Sequence, residues 1–387
     1  MKHRFISKRY WRDLATPMGK VDQLAKTYDD VIDLSLGDPD LTTDSQIIES
    51  AFQDALSGHT HYTDFRGDPE LRQAISKLYE EDHHLSVNDQ EIMVTASGCL
   101  AMYLCLEAIL DDGDEVIIHA PYFTPYVQQI ELARGVPVVL DTLESEGFQI
   151  NVARLEKLIT PQTKAIVINT PNNPSGACFS RKTLEAIGEL AIKKDLLILS
   201  DEIYGAYSFS EPFTPMMSIP GLKERTLTIS SFSKDYLMTG WRIGYIVAPD
   251  YLIETIQQIN ENVVFTAPSI SQRGALYAII HRKTIQPPLV SIYQERVAYA
   301  VERINQIATW SVLPPNGTFY LWVNIQKTGM STTDVCDTLL QKAHVLAIPG
   351  FAFGSCGEGY IRIACTVTID QLKEAFDRID ECGCFEK

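Results

Sequence analysis

Lys234 closes the run Ser230-Ser231-Phe232-Ser233-Lys234, and Arg242 follows eight positions later inside Thr239-Gly240-Trp241-Arg242-Ile243-Gly244-Tyr245. Small residues at the end of an apolar segment let a phosphate come close to the backbone. Ser231 can give it a hydroxyl hydrogen bond and Arg242 a charge-assisted fork. A lysine held among cations and apolar neighbours has a depressed pKa, which an imine-forming amine requires. The same residues also read as an exposed loop lysine beside a surface cation. Asp201-Glu202-Ile203-Tyr204 comes directly after the apolar run Leu196 to Ser200. A carboxylate at a strand's C-terminal end sits where open α/β sheets bind ligands, although an aspartate there can also cap a helix. Its place at the strand end favours the ligand-facing reading. Thr95-Ala96-Ser97-Gly98-Cys99 joins another apolar run to a helical stretch, whose first backbone N–H groups can cradle a phosphate. Asn169-Thr170-Pro171-Asn172-Asn173-Pro174-Ser175-Gly176 is by itself a turn. Neither a Walker A motif nor Gly-x-Gly-x-x-Gly occurs, which counts against nucleoside triphosphates and dinucleotides.

Positioning these groups requires strands, and the sequence offers seven short apolar runs, most of them β-branched. They are Glu91 to Thr95, Glu115 to His119, Val136 to Leu140, Lys164 to Asn169, Leu196 to Ser200, Thr226 to Ser230 and Gly244 to Ala248. Helical-period stretches lie between them: Ala101 to Leu110, Thr124 to Arg134, Arg181 to Lys193 and Leu252 to Asn262. Near-continuous apolar strands separated by helices predict an α/β fold, a mainly parallel seven-stranded sheet covered on both faces. After about residue 275 a helix over Tyr293 to Ile307 precedes strands at Phe319 to Val323 and Tyr360 to Ala364. Further helices are expected at Thr333 to Ala343 and Asp370 to Glu381. The division expected is therefore a large domain over 45–275, and a smaller α+β domain from 276–387 joined by segment 1–44.

The chain has 387 residues, and 33 Lys plus Arg against 50 Asp plus Glu leave a formal net charge of −17. That excess repels phosphate backbones and anionic lipid, so neither nucleic acid nor membrane is an expected partner. Eight scattered cysteines are too sparse for a disulfide framework, and Cys382-Gly383-Cys384 lacks the spacing of a zinc site, so no metal is expected. Cys99, Cys105 and Cys336 read as small core residues. Met1 to Arg12 is basic without the apolar core of a signal peptide, and no apolar run approaches the ~20 residues that span a bilayer. A cytoplasmic protein is expected.

The lysine and arginine runs together resemble the cofactor-lysine signature of the class I/II aminotransferases, the aspartate-aminotransferase family of fold type I, and the resemblance extends over nearly the whole chain in the family's order. It implies pyridoxal 5′-phosphate held as a Schiff base on Lys234. Asp201 would pair with the pyridinium nitrogen, and Asn173 and Tyr204 would donate to the phenolic oxygen. Ser97, Gly98, Cys99, Ser231, Ser233 and Arg242 match the residues around the phosphate. Phe123, in Pro121-Tyr122-Phe123-Thr124-Pro125-Tyr126, matches the aromatic stacked on the ring. Tyr62, in His61-Tyr62-Thr63-Asp64, matches the tyrosine that reaches the neighbouring subunit's site, which implies a homodimer. Arg362, in Tyr360-Ile361-Arg362-Ile363-Ala364, matches the arginine that grips the substrate α-carboxylate; Gly37 matches a glycine that closes over it, and Asn173 helps to hold the same substrate. Pro315-Asn316-Gly317-Thr318-Phe319-Tyr320 also resembles the family's C-terminal domain.

The implied activity is transfer of an amino group from an L-amino acid to a 2-oxo acid, through a Lys234 aldimine and pyridoxamine phosphate. The alternative on the same fold is a carbon–sulfur β-lyase, but the complete Gly240-to-Tyr245 run leans towards transamination. A cofactor-binding regulator is disfavoured by the net charge and by the short stretch before the sheet, and a dehydrogenase by the missing glycine fingerprint. Asp235 and Cys99-Leu100 depart from the family's usual small polar residues. No second substrate arginine marking an acidic donor can be placed. Tyr10-Trp11 and Tyr122-Phe123 are compatible with aromatic or large apolar donors.

Overall fold

The computed structural model describes residues 3–11 and 28–386, so the ends of the stretch Met1 to Arg12 lie outside the described residues. After a short strand β1 (Ile32–Asp33), each of the seven apolar runs becomes a strand within one residue of its expected bounds: β2 (Ile92–Thr95), β3 (Glu115–Ala120), β4 (Val136–Asp141), β5 (Thr163–Asn169), β6 (Leu197–Asp201), β7 (Thr226–Ser231) and β8 (Gly244–Val247). They form one sheet in the order β2-β8-β7-β6-β5-β3-β4. Every pairing is parallel except the two that β8 makes.

Alternation along each strand divides the core between the two faces. Val116 and Ile118 pack with Val167, Leu199 and Ile229 against the helix Gly98–Ile109 and the helix Asp250–Val263. Ile117 points the other way, with Ile166, Ile168 and Ile198, onto the helix Arg181–Lys194. Both faces being covered is why these strands read as unbroken apolar runs rather than alternating ones. Each such isoleucine contributes roughly 1.5–3 kcal/mol by burial. β4 is the exception: it is an outer strand, half-exposed, and it tolerates Pro137 because one side of an edge strand needs no ladder donor.

A second sheet of four antiparallel strands runs in the order β12-β13-β10-β9, built from β9 (Ser311–Val312), β10 (Tyr320–Asn324), β12 (Ile348–Pro349) and β13 (Tyr360–Ala364). Beside it β1 pairs in parallel with β11 (Val345–Leu346). The chain after β1 stays attached to this sheet. Leu34 N donates to Leu346 O at 2.9 Å, Ala364 N to Leu34 O at 2.8 Å, and Thr366 Oγ1 to Leu36 O at 2.7 Å. Arg296, buried on the long helix Arg282–Gln306, then grips Asp40 with both terminal nitrogens at 2.6 and 3.0 Å. Residues 32–40 are thus held by the second sheet and the long helix and pair with no strand of the large sheet.

Two helices differ from their expected spans. The long helix begins at Arg282 rather than Tyr293 and runs through Pro287 and Pro288. Each proline removes a backbone bond, and the buried face of Tyr293, Val297, Ala300 and Ile304 offsets that loss. The stretch from Thr332 is α-helical to Thr338 and continues as a π-helical turn, Leu339–Ala343. Among the described residues, no helix is long and apolar enough to cross a membrane.

Candidate active site

A cavity of about 310 Å³ lies where the carboxyl ends of the parallel strands meet the second sheet. The strand ends deliver its polar groups, as expected of an open α/β sheet. β5 ends on Asn169, β6 on Asp201 and β7 on Ser231, with Ser233 and Lys234 in the turn that follows. After β2, Ser97 caps the helix Gly98–Ile109 by accepting from Leu100 N at 3.0 Å, and this turn brings Ser97, Gly98 and Cys99 to the cavity. Phe123 enters from the loop after β3. From the other side come Arg362 on β13, Tyr320 on β10, and Leu36, Gly37 and Asp38 from the segment tied to the second sheet. Of the residues given a catalytic, cofactor-binding or substrate-binding role from sequence, all line this cavity except Tyr62, which is 80% exposed elsewhere with its ring 4.8 Å from that of Phe265. Tyr10, Trp11 and Tyr122, read as compatible with an aromatic donor, are not among its lining residues.

Burial sets the protonation chemistry. Desolvation pulls the Lys234 amine down to about 8, with Arg362 and Arg242 adding to it and Asp38 opposing. Lys234 Nζ donates to the carbonyl of Gly37, so the lysine bridges the two walls. Asp201 is driven up to about 6 by desolvation, opposed by the Tyr126 phenol, which donates to Oδ2, and by Ile203 N, 3.3 Å from Oδ1. Arg362 is buried and its guanidinium lies 4.5 Å from the Tyr320 ring centre and 4.8 Å from that of Phe353. It donates to Asn173 Oδ1 at 3.0 Å and to the Ser35 carbonyl, while its Nε has no partner among the described residues. Desolvation lowers its pKa from the ordinary arginine value. The Tyr204 and Tyr320 hydroxyls are 3.0 Å apart.

The hydroxyl-rich corner is closely built. Ser231 Oγ accepts from Ser233 N at 3.0 Å and lies 2.8 Å from Ser233 Oγ, and Arg242 donates to Thr239 O at 2.7 Å. Gly244 begins the neighbouring strand because nothing larger fits there. A Cβ would stand 2.6 Å from Gly98 N and 2.8 Å from Ser230 O.

The chain carries the family model for aminotransferase class I and II over residues 29–379. The chain belongs to that family. It is 35% identical to an aspartate aminotransferase of Pyrococcus abyssi, covering 95% of this chain and 96% of that one. It is 34% identical to aromatic-amino-acid aminotransferase 2 of Thermococcus litoralis, covering 94% of each. The solved structure of Thermus thermophilus aspartate aminotransferase with maleate superposes with a TM-score of 0.93 at 30% identity, over 98% of this chain and 100% of that one. The protein is a fold type I, pyridoxal-phosphate-dependent aminotransferase that moves an amino group between amino acids and 2-oxo acids, and the β-lyase alternative is not favoured.

The cavity fits that cofactor chemically. Its bare-backbone corner with two serine hydroxyls and a guanidinium suits a phosphate, its amine suits an aldehyde, and its buried carboxyl suits a ring nitrogen. An unpartnered buried Nε on Arg362 suits an anionic substrate, since a buried donor left unpaired is costly.

Within this aminotransferase the readings of Cys99 and Cys336 as core residues need revision, whereas the turn reading of Asn172 stands. Cys99 is exposed at the cavity rather than a core residue, because the first helical turn it occupies faces the ligand space; Cys336 is only partly buried, whereas Cys105 is fully so. Asn172 belongs to the turn, accepting from Ser175 N at 3.0 Å and Ser175 Oγ at 2.6 Å. Sequence reasoning missed Asn169, Tyr320, Asp38, Leu36, Ile203 and Thr239 as lining groups, and Tyr126 behind them. Asn169 was findable. It ends β5 beside Asp201 at the end of β6, and its side chain joins Asn173 N at 2.9 Å to Asp201 O at 3.2 Å.

Proposed function

We propose that this aminotransferase draws its amino group from an aromatic or large apolar L-amino acid, with Lys234 as covalent anchor and proton carrier. The observation that carries the reading is that Lys234 and Asp201 face one cavity from the large sheet while Arg362 faces it from the other. Pyridoxal 5′-phosphate, when bound, supplies an aldehyde that condenses with amines and a ring that accepts the electron pair left at the amino acid's α-carbon. Asp201 balances the charge of the ring nitrogen, and Asn173 and Tyr204 donate to the ring oxygen. Ser97, Gly98, Cys99, Ser231, Ser233 and Arg242 hold the phosphate, and Phe123 covers the ring. Arg362 binds the α-carboxylate with help from Asn173 and the Gly37 segment. Lys234 Nζ, with its pKa pulled to about 8, then takes the α-proton and returns a proton to the carbon that carried the cofactor's aldehyde.

A count of charges supports the donor class. The cations among the described lining residues are Lys234, Arg242 and Arg362, and each already has a task. A donor with a second carboxylate finds no further cation there, and Asp38 would repel it. Leu36, Ile203 and Tyr320 instead offer apolar surface. The test adds amino acids singly to the holoenzyme and follows loss of the cofactor's visible absorbance. Phenylalanine, tyrosine or leucine is expected to exceed aspartate in kcat/KM by at least about tenfold. Aspartate or glutamate at the top of the series would overturn the donor class, and silence from every amino acid would overturn the roles given to the site. Pyruvate released from cystathionine without an oxo-acid acceptor would favour a lyase.

A homodimer is part of this reading. Tyr62 at 80% exposure, Phe65, Val263, Val264 and Phe265 form an apolar surface away from the cavity, as a tyrosine that serves a neighbouring site requires. Sedimentation should return twice the 43.4 kDa chain mass, and a monomer at micromolar concentration would refute it. We keep the division into 45–275 against 1–44 with 276–387, supported by one core cluster that joins Ile32 and Leu34 to side chains between Tyr293 and Phe385 and that Tyr204, Tyr207 and Leu237 meet from the large unit. A cytoplasmic location rests on the scattered cysteines and is checked by cell fractionation.

A further inference from the structure

Tyr126 does not line the cavity, yet it touches two groups that do. It lies near the start of the helix Pro125–Leu132, buried to 2% exposure, and its hydroxyl donates to Asp201 Oδ2. Its ring meets Phe123 edge-on, with centroids 5.6 Å apart at 79°. Asp201 itself is 4% exposed. Among the described residues the titratable groups acting on the pair are Tyr204, Glu202 and Cys99, none of them a cation, and the positive charge of Arg242 acts on Cys99 and not on Tyr126 or Asp201. A buried carboxylate with no cation in contact depends on hydrogen bonds to keep its charge and its orientation. Two are available: the phenol on Oδ2 and the Ile203 amide 3.3 Å from Oδ1. The phenol is the one that a side-chain change removes.

We propose that Tyr126 is a positioning residue that acts through Asp201, its phenol holding the carboxylate in the plane and charge state the cofactor's ring nitrogen needs, while its ring braces Phe123. This rests on the reading of Asp201 as the partner of that nitrogen. Tyr126 acts at one remove from the reacting atoms. It contacts neither substrate nor Lys234, so its loss is felt in the chemical step and in the cofactor's environment rather than in amino-acid binding.

The test is Tyr126→Phe in the holoenzyme, which keeps every ring carbon and deletes one hydroxyl. We expect kcat to fall about ten- to a hundredfold, the scale of a lost charge-assisted hydrogen bond, with the amino-acid KM within about twofold. Two readouts do not depend on turnover. The pH midpoint of the bound cofactor's visible absorbance should move upward by about one pH unit, because a weaker countercharge at the ring nitrogen makes the lysine-linked end more basic. Cofactor loss on dialysis should quicken by a similar factor to the fall in kcat. The decisive arm combines it with Asp201→Ala, in which the phenol has no side-chain oxygen to hold. If Tyr126 works through Asp201, Tyr126→Phe should change kcat less than about twofold in that background. Full additivity there, or an unmoved pH midpoint in the single variant, overturns the proposal. Asp201→Asn retaining near-normal turnover would instead sink the reading on which it rests.

Discussion

Lys234→Ala is expected to lower kcat by at least about 10⁴-fold while the cofactor stays bound without a covalent link, because one substitution removes both the anchor and the proton carrier. In the wild-type protein borohydride should fix the cofactor to Lys234, and peptide mapping that finds the label on another lysine would refute the assignment. The amine's environment gives a pH signature as well. Neutral amine is the nucleophile, and burial lowers its pKa from 10.5 to about 8. At pH 8 about half of the Lys234 amines are therefore neutral, against about 0.3% for an ordinary lysine. Covalent capture of added cofactor by the cofactor-free protein should rise with pH and reach half its maximum near pH 8. A midpoint near 10.5 would mean that the amine is solvated and not held as described.

Asp201→Asn is expected to cost about 10³-fold in kcat, on the scale of losing one preorganised electrostatic group, while cofactor binding and the amino-acid KM change only a few-fold. Asparagine keeps the volume and a carbonyl oxygen for the Tyr126 phenol, so the loss reports charge rather than packing. With proton removal now slow, an α-deuterated donor should show a larger isotope effect than in the wild type. Equal rates for protonated and deuterated donor in the variant, with turnover preserved, would remove Asp201 from the electron-accepting apparatus.

What sequence made legible divides along physical lines. The strands of the large sheet were readable because both faces are covered, so their apolar runs are unbroken and end where the ligand groups begin. Lys234, Asp201 and Ser97 were readable for the same reason, each sitting at a boundary between an apolar run and a polar turn. Strands β1, β9, β11 and β12 were not, since two residues are too few to show a period of two. The start of the long helix was hidden by Pro287 and Pro288, whose local cost is outweighed only by distant packing. The contact from Tyr126 to Asp201 spans 75 positions and no local pattern announces it. Cys99 looked like a core residue because its neighbours are apolar, although its own helical turn opens onto the cavity.

The attachment of segment 34–40 to the second sheet has a consequence for how such an enzyme changes its diet. Leu36, Gly37, Asp38, Tyr320 and Arg362 hang from one scaffold through the Leu34–Ala364, Leu36–Thr366 and Asp40–Arg296 ties, whereas Lys234, Asp201 and Ser231 hang from the other. On the proposed assignment, the groups that read an amino acid and the groups that handle its proton are thus encoded in separate stretches of chain. A substitution at position 36 or 38 can retune which amino acid is accepted while leaving the acid–base apparatus where it stands.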